Sequence, residues 1–269
     1  MPRRLNCRGW KAILSACGRS EADLECGFHF PEDPETADRL HKGALEKSAI
    51  YNNCSGKHAG MIALAVREGW PVEGYTRADH PVQQAALTAI AEVCGVDPAR
   101  MPLGTDGCSA PNPGMTLIDM ARGYAHFATA VAEGTPRERA LARVRGAMAA
   151  HPDMVAGRNR FCTALMTATK ARLVTKTGAE GLQCVAVPSM GLGIVVKARD
   201  GARRAVAPAL VGWLRALDLI SADEEDALAA FAKPVNANHR NIVVGTLAAA
   251  EFPAWRVAPV PSPAGASKE

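Results

Sequence analysis

The 269-residue chain has no stretch approaching the roughly 20 consecutive apolar residues that a membrane-spanning helix requires, so none is expected. Aromatic residues make up only 5%, and the net charge of +4 is spread along the chain without a basic run or interleaved aromatics. That distribution argues against nucleic acid and against a membrane surface as partners. Acidic residues are missing from Met1 to Ser20, where Arg3, Arg4, Arg8, Lys11 and Arg19 fall, which is the composition of a transit peptide. The longest apolar run there, Ala12 to Cys17, is broken by Ser15 and too short for a signal peptide, so Trp10 to Leu14 reads as an amphipathic helix. Paired C-x-x-C doublets are missing as well. The eight cysteines stand at the irregular positions 7, 17, 26, 54, 94, 108, 162 and 184, and read as reduced thiols of a cytoplasmic protein. Cys26 and His29 have the spacing of a metal pair but no second pair nearby, which favours a structural role.

What the chain does hold is an apolar fraction of 48% against 22% charged residues, enough for one large domain or two small ones. Its most concentrated chemistry lies in Asn52-Asn53-Cys54-Ser55-Gly56-Lys57-His58-Ala59-Gly60. A phosphate loop is excluded there, because Tyr51 stands where a glycine is needed and His58 follows Lys57 instead of Ser or Thr. Met61, Leu64 and Ala65 recur behind it at helical spacing and Gly69 closes the pattern, so the motif sits at a helix N-terminus. Further helices are predicted at Gly9–Cys17, Pro34–Leu45, Pro81–Cys94, Thr116–Glu133, from Thr135 to before Pro152, Arg160–Ala171, Ala202–Leu217, and from Ser221 through Ala232. Pro98 to Pro113 reads as loop, and Arg172–Lys176, Gln183–Pro188 and Leu192–Ala198 read as an antiparallel meander continued by a last strand, Asn241–Leu247. His126 and His151 read as solvent-facing or satisfied histidines, and Cys94 as core. Cys54 and Cys108 lie in glycine-rich loops beside other polar residues, where core thiols are less expected; spacing alone leaves a shared metal site open.

The Asn52–Gly60 stretch resembles the signature of the class 3, rhizobial-type L-asparaginases, the asparaginase II family. Three more stretches agree in order and spacing: Leu103 to Pro111 with D-G-C-[SG]-x-P, Lys176 to Gly181 with K-x-G-A-E-G, and Gly191 to Gly201 with G-L-G-x-x-x-K-x-x-D-G. The resemblance implies a serine β-lactamase or glutaminase-like α/β fold, an antiparallel sheet with packed helices. It implies L-asparagine as a small-molecule amide substrate, a homodimer, and zinc bound by Cys54, Lys57 and Cys108. Lysine is an unusual ligand because its amine must lose a proton, and a solvated lysine at a helix start is the plainer reading of Lys57. Lys176 becomes the candidate general base or electrostatic activator. Asp106 becomes a partner of Lys57 or an acceptor for the substrate amine, with a turn-forming aspartate before Gly107 as the alternative. The family begins with an upstream segment holding S-x-x-K and a second serine in an H-S-G-E-like motif, and neither occurs here. The expectation is therefore an N-terminally shortened single domain, residues 1–252, with a disordered tail over 253–269. Its amidohydrolase activity is expected to be impaired for want of the nucleophile; the alternative is a non-catalytic zinc-binding remnant or interaction protein.

Overall fold

The computed structural model describes residues 5–250, with side chains from Gly9 onward; the tail expected to be disordered, 253–269, lies outside the described residues. It is a mixed α/β structure of helices and small antiparallel sheets. The chain divides into two compact units, one running to Gly178 and resuming over Gln183–Val195, the other made of Ala179–Leu182 and the residues from Val196 on. Among the described residues no helix is long and apolar enough to cross a membrane.

The first unit opens with α1 (Leu5–Ala16), α2 (Pro34–His41), α3 (Ser55–Glu68) and α4 (Pro81–Cys94). Their ends follow local chemistry. The Asp33 carboxylate accepts from the Thr36 N–H at the start of α2, and the His80 imidazole accepts from the Val82 N–H at the start of α4. Gly69 and Gly95 close α3 and α4 in the left-handed conformation, at φ 71° and 66°. The buried faces of α1 and α3 enclose Leu14, Ala59 and Ile62 together with Ile50 and Tyr75. Gly56 makes this approach possible, since a Cβ there would lie 2.7 Å from the Trp10 ring.

The stretch expected to be loop contains a hairpin, β1 (Leu103–Thr105) and β2 (Pro111–Pro113), with Leu103 opposite Pro113 and Thr105 opposite Pro111. Two prolines in a three-residue strand hid it, because proline cannot donate to a ladder. Next come α5 (Leu117–Thr129), α6 (Pro136–Ala150), α7 (Pro152–Ala156) and α8 (Phe161–Ala168). Helix α5 stops at Thr129, short of the expected Glu133. Its end is fixed from outside: the Arg145 guanidinium on α6 donates to the carbonyls of Phe127, Ala128 and Ala130. The Thr135–Glu138 capping box opens α6 as its sequence predicts.

Strands β3 (Val174–Gly178), β4 (Leu182–Val187) and β5 (Leu192–Lys197) then lie side by side in chain order. Links this short cannot make a parallel crossover, which needs about a dozen residues, so the sheet is the expected antiparallel meander. Gly193 on β5 meets α5 so closely that a Cβ would stand 2.0 Å from the Ala121 carbonyl oxygen. The second unit holds α9 (Val206–Ala216), α10 (Ala222–Ala227), α11 (Ala229–Ala232), β6 (Val235–Ala237) and β7 (Val243–Thr246). Here the expectation fails in one respect. The last strand does not continue the meander but pairs antiparallel with β6 in a separate two-stranded sheet. The Asn238 side chain closes the turn by accepting from the N–H groups of Arg240 and Ile242, and Asn241 takes the left-handed conformation at φ 60°.

Candidate active site

The site grows from the loop that leads into α3. Asn52 is buried, and its side-chain amide donates to the carbonyls of Cys26 (2.8 Å) and Gly27 (3.2 Å) while its oxygen accepts from the Cys54 N–H (2.8 Å). That places Cys54 directly ahead of α3 as its N-cap residue, with no capping hydrogen bond from its side chain. One turn on, Lys57 reaches the β1–β2 loop. Its ammonium donates to the Cys108 sulfur at 3.3 Å and stands 3.9 Å from the Asp106 carboxylate. The loop holds its own shape, with the Asp106 N–H bonded to the Ala110 carbonyl and the Ser109 N–H to the Asp106 carbonyl. Ser109 is held in the left-handed conformation at φ 72°.

Four of the five residues singled out in the sequence thus meet: Cys54, Lys57, Asp106 and Cys108. Lys176 does not join them. It is exposed on β3, its ammonium donates to the Thr177 carbonyl at 2.7 Å, and its charge only partly opposes the rise that burial gives the Cys184 thiol.

Burial raises the Cys54 pKa, and the Cys108 sulfur adds to the rise while Lys57 opposes it. Burial alone would lower the Lys57 pKa, but the Cys54 and Cys108 sulfurs and Asp106 together hold it above the ordinary lysine value. Cys26, behind them, is pushed up to about 11 by burial. Among the described residues no three His, Cys, Asp or Glu side chains gather closely enough to hold a metal ion. With Lys57 counted as a third donor beside Cys54 and Cys108 the residue types are ones zinc can take, but the Lys57 ammonium would have to lose its proton to serve. A sulfur and a nitrogen sharing a tetrahedral ion at about 2.3 Å and 2.1 Å stand about 3.6 Å apart, close to the Lys57–Cys108 separation.

A second polar layer supports the first turn of α3. His58 is 0% exposed, and its Nδ1 lies 2.6 Å from the Tyr75 hydroxyl, which also accepts from the Glu25 N–H at 2.9 Å. The Glu25 carboxylate in turn accepts from the Gly74 N–H and the Thr76 hydroxyl, both at 2.6 Å. Burial, reinforced by the Lys57 charge, lowers the His58 pKa to about 4, so the ring is neutral near pH 7. Its Nε2 is buried with no hydrogen-bond partner among the described residues. His58 is one of the capable groups of its motif, whereas Tyr75 and Glu25 belong to no motif and carry no signal in the sequence. His126, exposed and bonded to the Val93 carbonyl at 2.6 Å, and Cys94, 8% exposed, behave as the sequence predicts.

A family model described as L-asparaginase II matches residues 4–249, nearly the whole chain. No curated protein matches it.

Proposed function

Because the chain belongs to the L-asparaginase II family, we propose that it acts on L-asparagine, hydrolysing the side-chain amide to L-aspartate and ammonia through an acyl-enzyme. The observation that carries this reading is the meeting of the two motif loops, Lys57 on one and Asp106 and Cys108 on the other, across fifty residues of sequence. In the reaction a hydroxyl oxygen attacks the amide carbon as a lysine amine takes its proton. The C–N bond breaks, the proton passes to the departing ammonia, and water then hydrolyses the ester to free aspartate. In this reading Lys176 is the base and backbone N–H groups stabilise the oxyanion. Asp106 holds the Lys57 ammonium or accepts from the substrate amine. Cys54, Cys108 and Lys57 would hold zinc, which when bound supplies positive charge that orients the substrate. We place the meander in a serine β-lactamase-like sheet. The seven cysteines described are all unpaired, which supports a reducing, cytoplasmic setting.

Turnover by this chain is expected to be low, since no serine in it stands in S-x-x-K spacing. The hydroxyls available to serve are Ser55, Ser109 and Thr177. The test is asparagine-dependent ammonia release by the 269-residue protein. Release that falls about a hundredfold or more in Lys176→Met supports the mechanism. Release untouched by Lys176→Met removes that lysine from it. Stoichiometric zinc with no ammonia release would favour a zinc-binding protein without amidase activity.

A further inference from the structure

The bracket that carries the Cys54 loop is built from Cys26 to Phe30, a segment outside every catalytic motif. Asn52 ties the loop to the carbonyls of Cys26 and Gly27 from one side. His29 ties it from the other, with its Nε2 2.9 Å from the Asn53 N–H and its Nδ1 2.8 Å from the Phe30 carbonyl oxygen. These contacts fix the tautomer. A carbonyl oxygen only accepts, so Nδ1 carries the proton and Nε2 offers its lone pair to the Asn53 N–H. The Asn53 side-chain oxygen lies 3.0 Å from the same Nε2, and turning that amide over presents its NH2 instead.

The residues on either side of His29 face the other way. Phe28 and Phe30 meet edge to face at 5.1 Å, and Phe30 stacks on His41 of α2 at 4.2 Å with the rings 3° from parallel. The Lys47 ammonium sits over both phenyl rings, 5.7 Å and 5.6 Å from their centroids. Alternation therefore divides the segment, with aromatic side chains anchoring it and the imidazole between them aimed at the backbone beside Cys54. The anchor is offset from the site by one residue. His29 is bonded at both ring nitrogens, and its chain neighbours Phe28 and Phe30 hold the segment through their contacts with each other and with His41.

We propose that His29 is a positioning residue for Cys54, holding the Asn52–Asn53 peptide that precedes it so that the thiolate can share an ion with Cys108 and Lys57. The inference rests on the zinc reading above and adds to it a residue that touches neither the metal ligands nor the substrate. Its counterparts at metal sites are the outer hydrogen-bond partners that orient a ligand, whose loss costs about 10–100-fold in metal affinity.

The experiment is a cobalt(II) titration of the full chain, followed by the thiolate-to-cobalt charge-transfer absorption, with zinc affinity then measured by chelator competition. His29→Phe keeps the ring's shape and removes the acceptor, whereas His29→Gln keeps an acceptor near the Nε2 position. Zinc affinity about 10–100-fold weaker in His29→Phe, with an altered charge-transfer band and affinity largely restored in His29→Gln, is the expected result. Phe30→Ala, which removes the anchor and leaves the hydrogen-bonding atoms in place, should weaken zinc in the same direction. A role in folding alone would lower the melting temperature of these variants and leave band and affinity unchanged, which would overturn the proposal. If the unmodified chain binds no cobalt, the zinc reading itself falls and takes this inference with it.

Discussion

Removing a single oxygen atom at Tyr75 severs two hydrogen bonds, a part-buried one from the Glu25 N–H and a fully buried one with the His58 ring. Tyr75→Phe is expected to lower the unfolding free energy by about 1–3 kcal/mol, because the stranded groups keep their desolvation cost and lose their partner. Urea denaturation of the two proteins measures the difference, and a loss under about 0.5 kcal/mol would mean that other groups or water satisfy the atoms. Neither Tyr75 nor Glu25 could be picked out in advance. Their partners lie 17 and 50 residues away, and the buried polarity that defines them is produced only by the fold. Cys54, Lys57, Asp106 and Cys108 were legible for the opposite reason. Thiols, an amine and a carboxylate set among glycines point to chemistry before any contact is known, although Cys108 itself is buried in the core beside Leu14 and Ile62. Lys176 was legible only through its motif, and its ammonium lies on the Thr177 carbonyl instead of in the cluster.

At the scale of elements, caps and glycines were the readable signals. Helix α4 begins and ends where Pro81 and Gly95 predict, whereas α5 is cut short by Arg145, which no local pattern reveals. The β1–β2 hairpin was hidden by its prolines, and β7 was recognised as a strand but assigned to the wrong neighbour. Strand existence is a local property; pairing depends on which partner the turn delivers. Gly193 shows a motif glycine doing a packing job, and Gly193→Ala should drive β5 off the α5 backbone at a cost of about 3 kcal/mol or more. A thermal midpoint within a degree of the parent protein would show that the strand can retreat freely. Helix α2 offers a test with a sign. The Thr36 hydroxyl and N–H, with a further contribution from Arg158, hold the Asp33 pKa below its ordinary 3.8. A carboxylate with a depressed folded-state value stabilises above its unfolded pKa and loses that contribution as pH falls through the folded one. Asp33→Ala should therefore cost about 1 kcal/mol at neutral pH, with the gap to the parent narrowing as pH falls below 3.8. A gap that widens in acid would contradict the cap.

Across the whole molecule, protection should be uneven. Gln183 to Val187 of β4 are buried throughout, while all the residues of β6 and β7 are exposed in a two-stranded sheet of the kind that is marginal alone. Amide hydrogen exchange should be slowest over Gln183–Val187 and fastest over Val235–Thr246; equal protection of the two would be incompatible with this distribution of burial. The sequence foretold that helices would pack with a small meander, because periodicity and capping are local. It could not foretell a division into two units, since Ala179–Leu182 belongs to a different unit from the strand residues on either side of it.

Lys57 and Cys108 stand 51 positions apart, which has a consequence for how the protein is made. A growing chain exposes Cys54 and Lys57 first, and at about 5–20 residues per second several seconds pass before Cys108 is synthesised. Closing a loop of that length costs on the order of 3–4 kcal/mol of chain entropy, which the helices α3 and α4 must help to offset before the two loops can meet. The proposed zinc, if captured early, would find only Cys54 and Lys57 of its three ligands. The order of synthesis therefore favours a site completed late, on a chain whose helices have already formed.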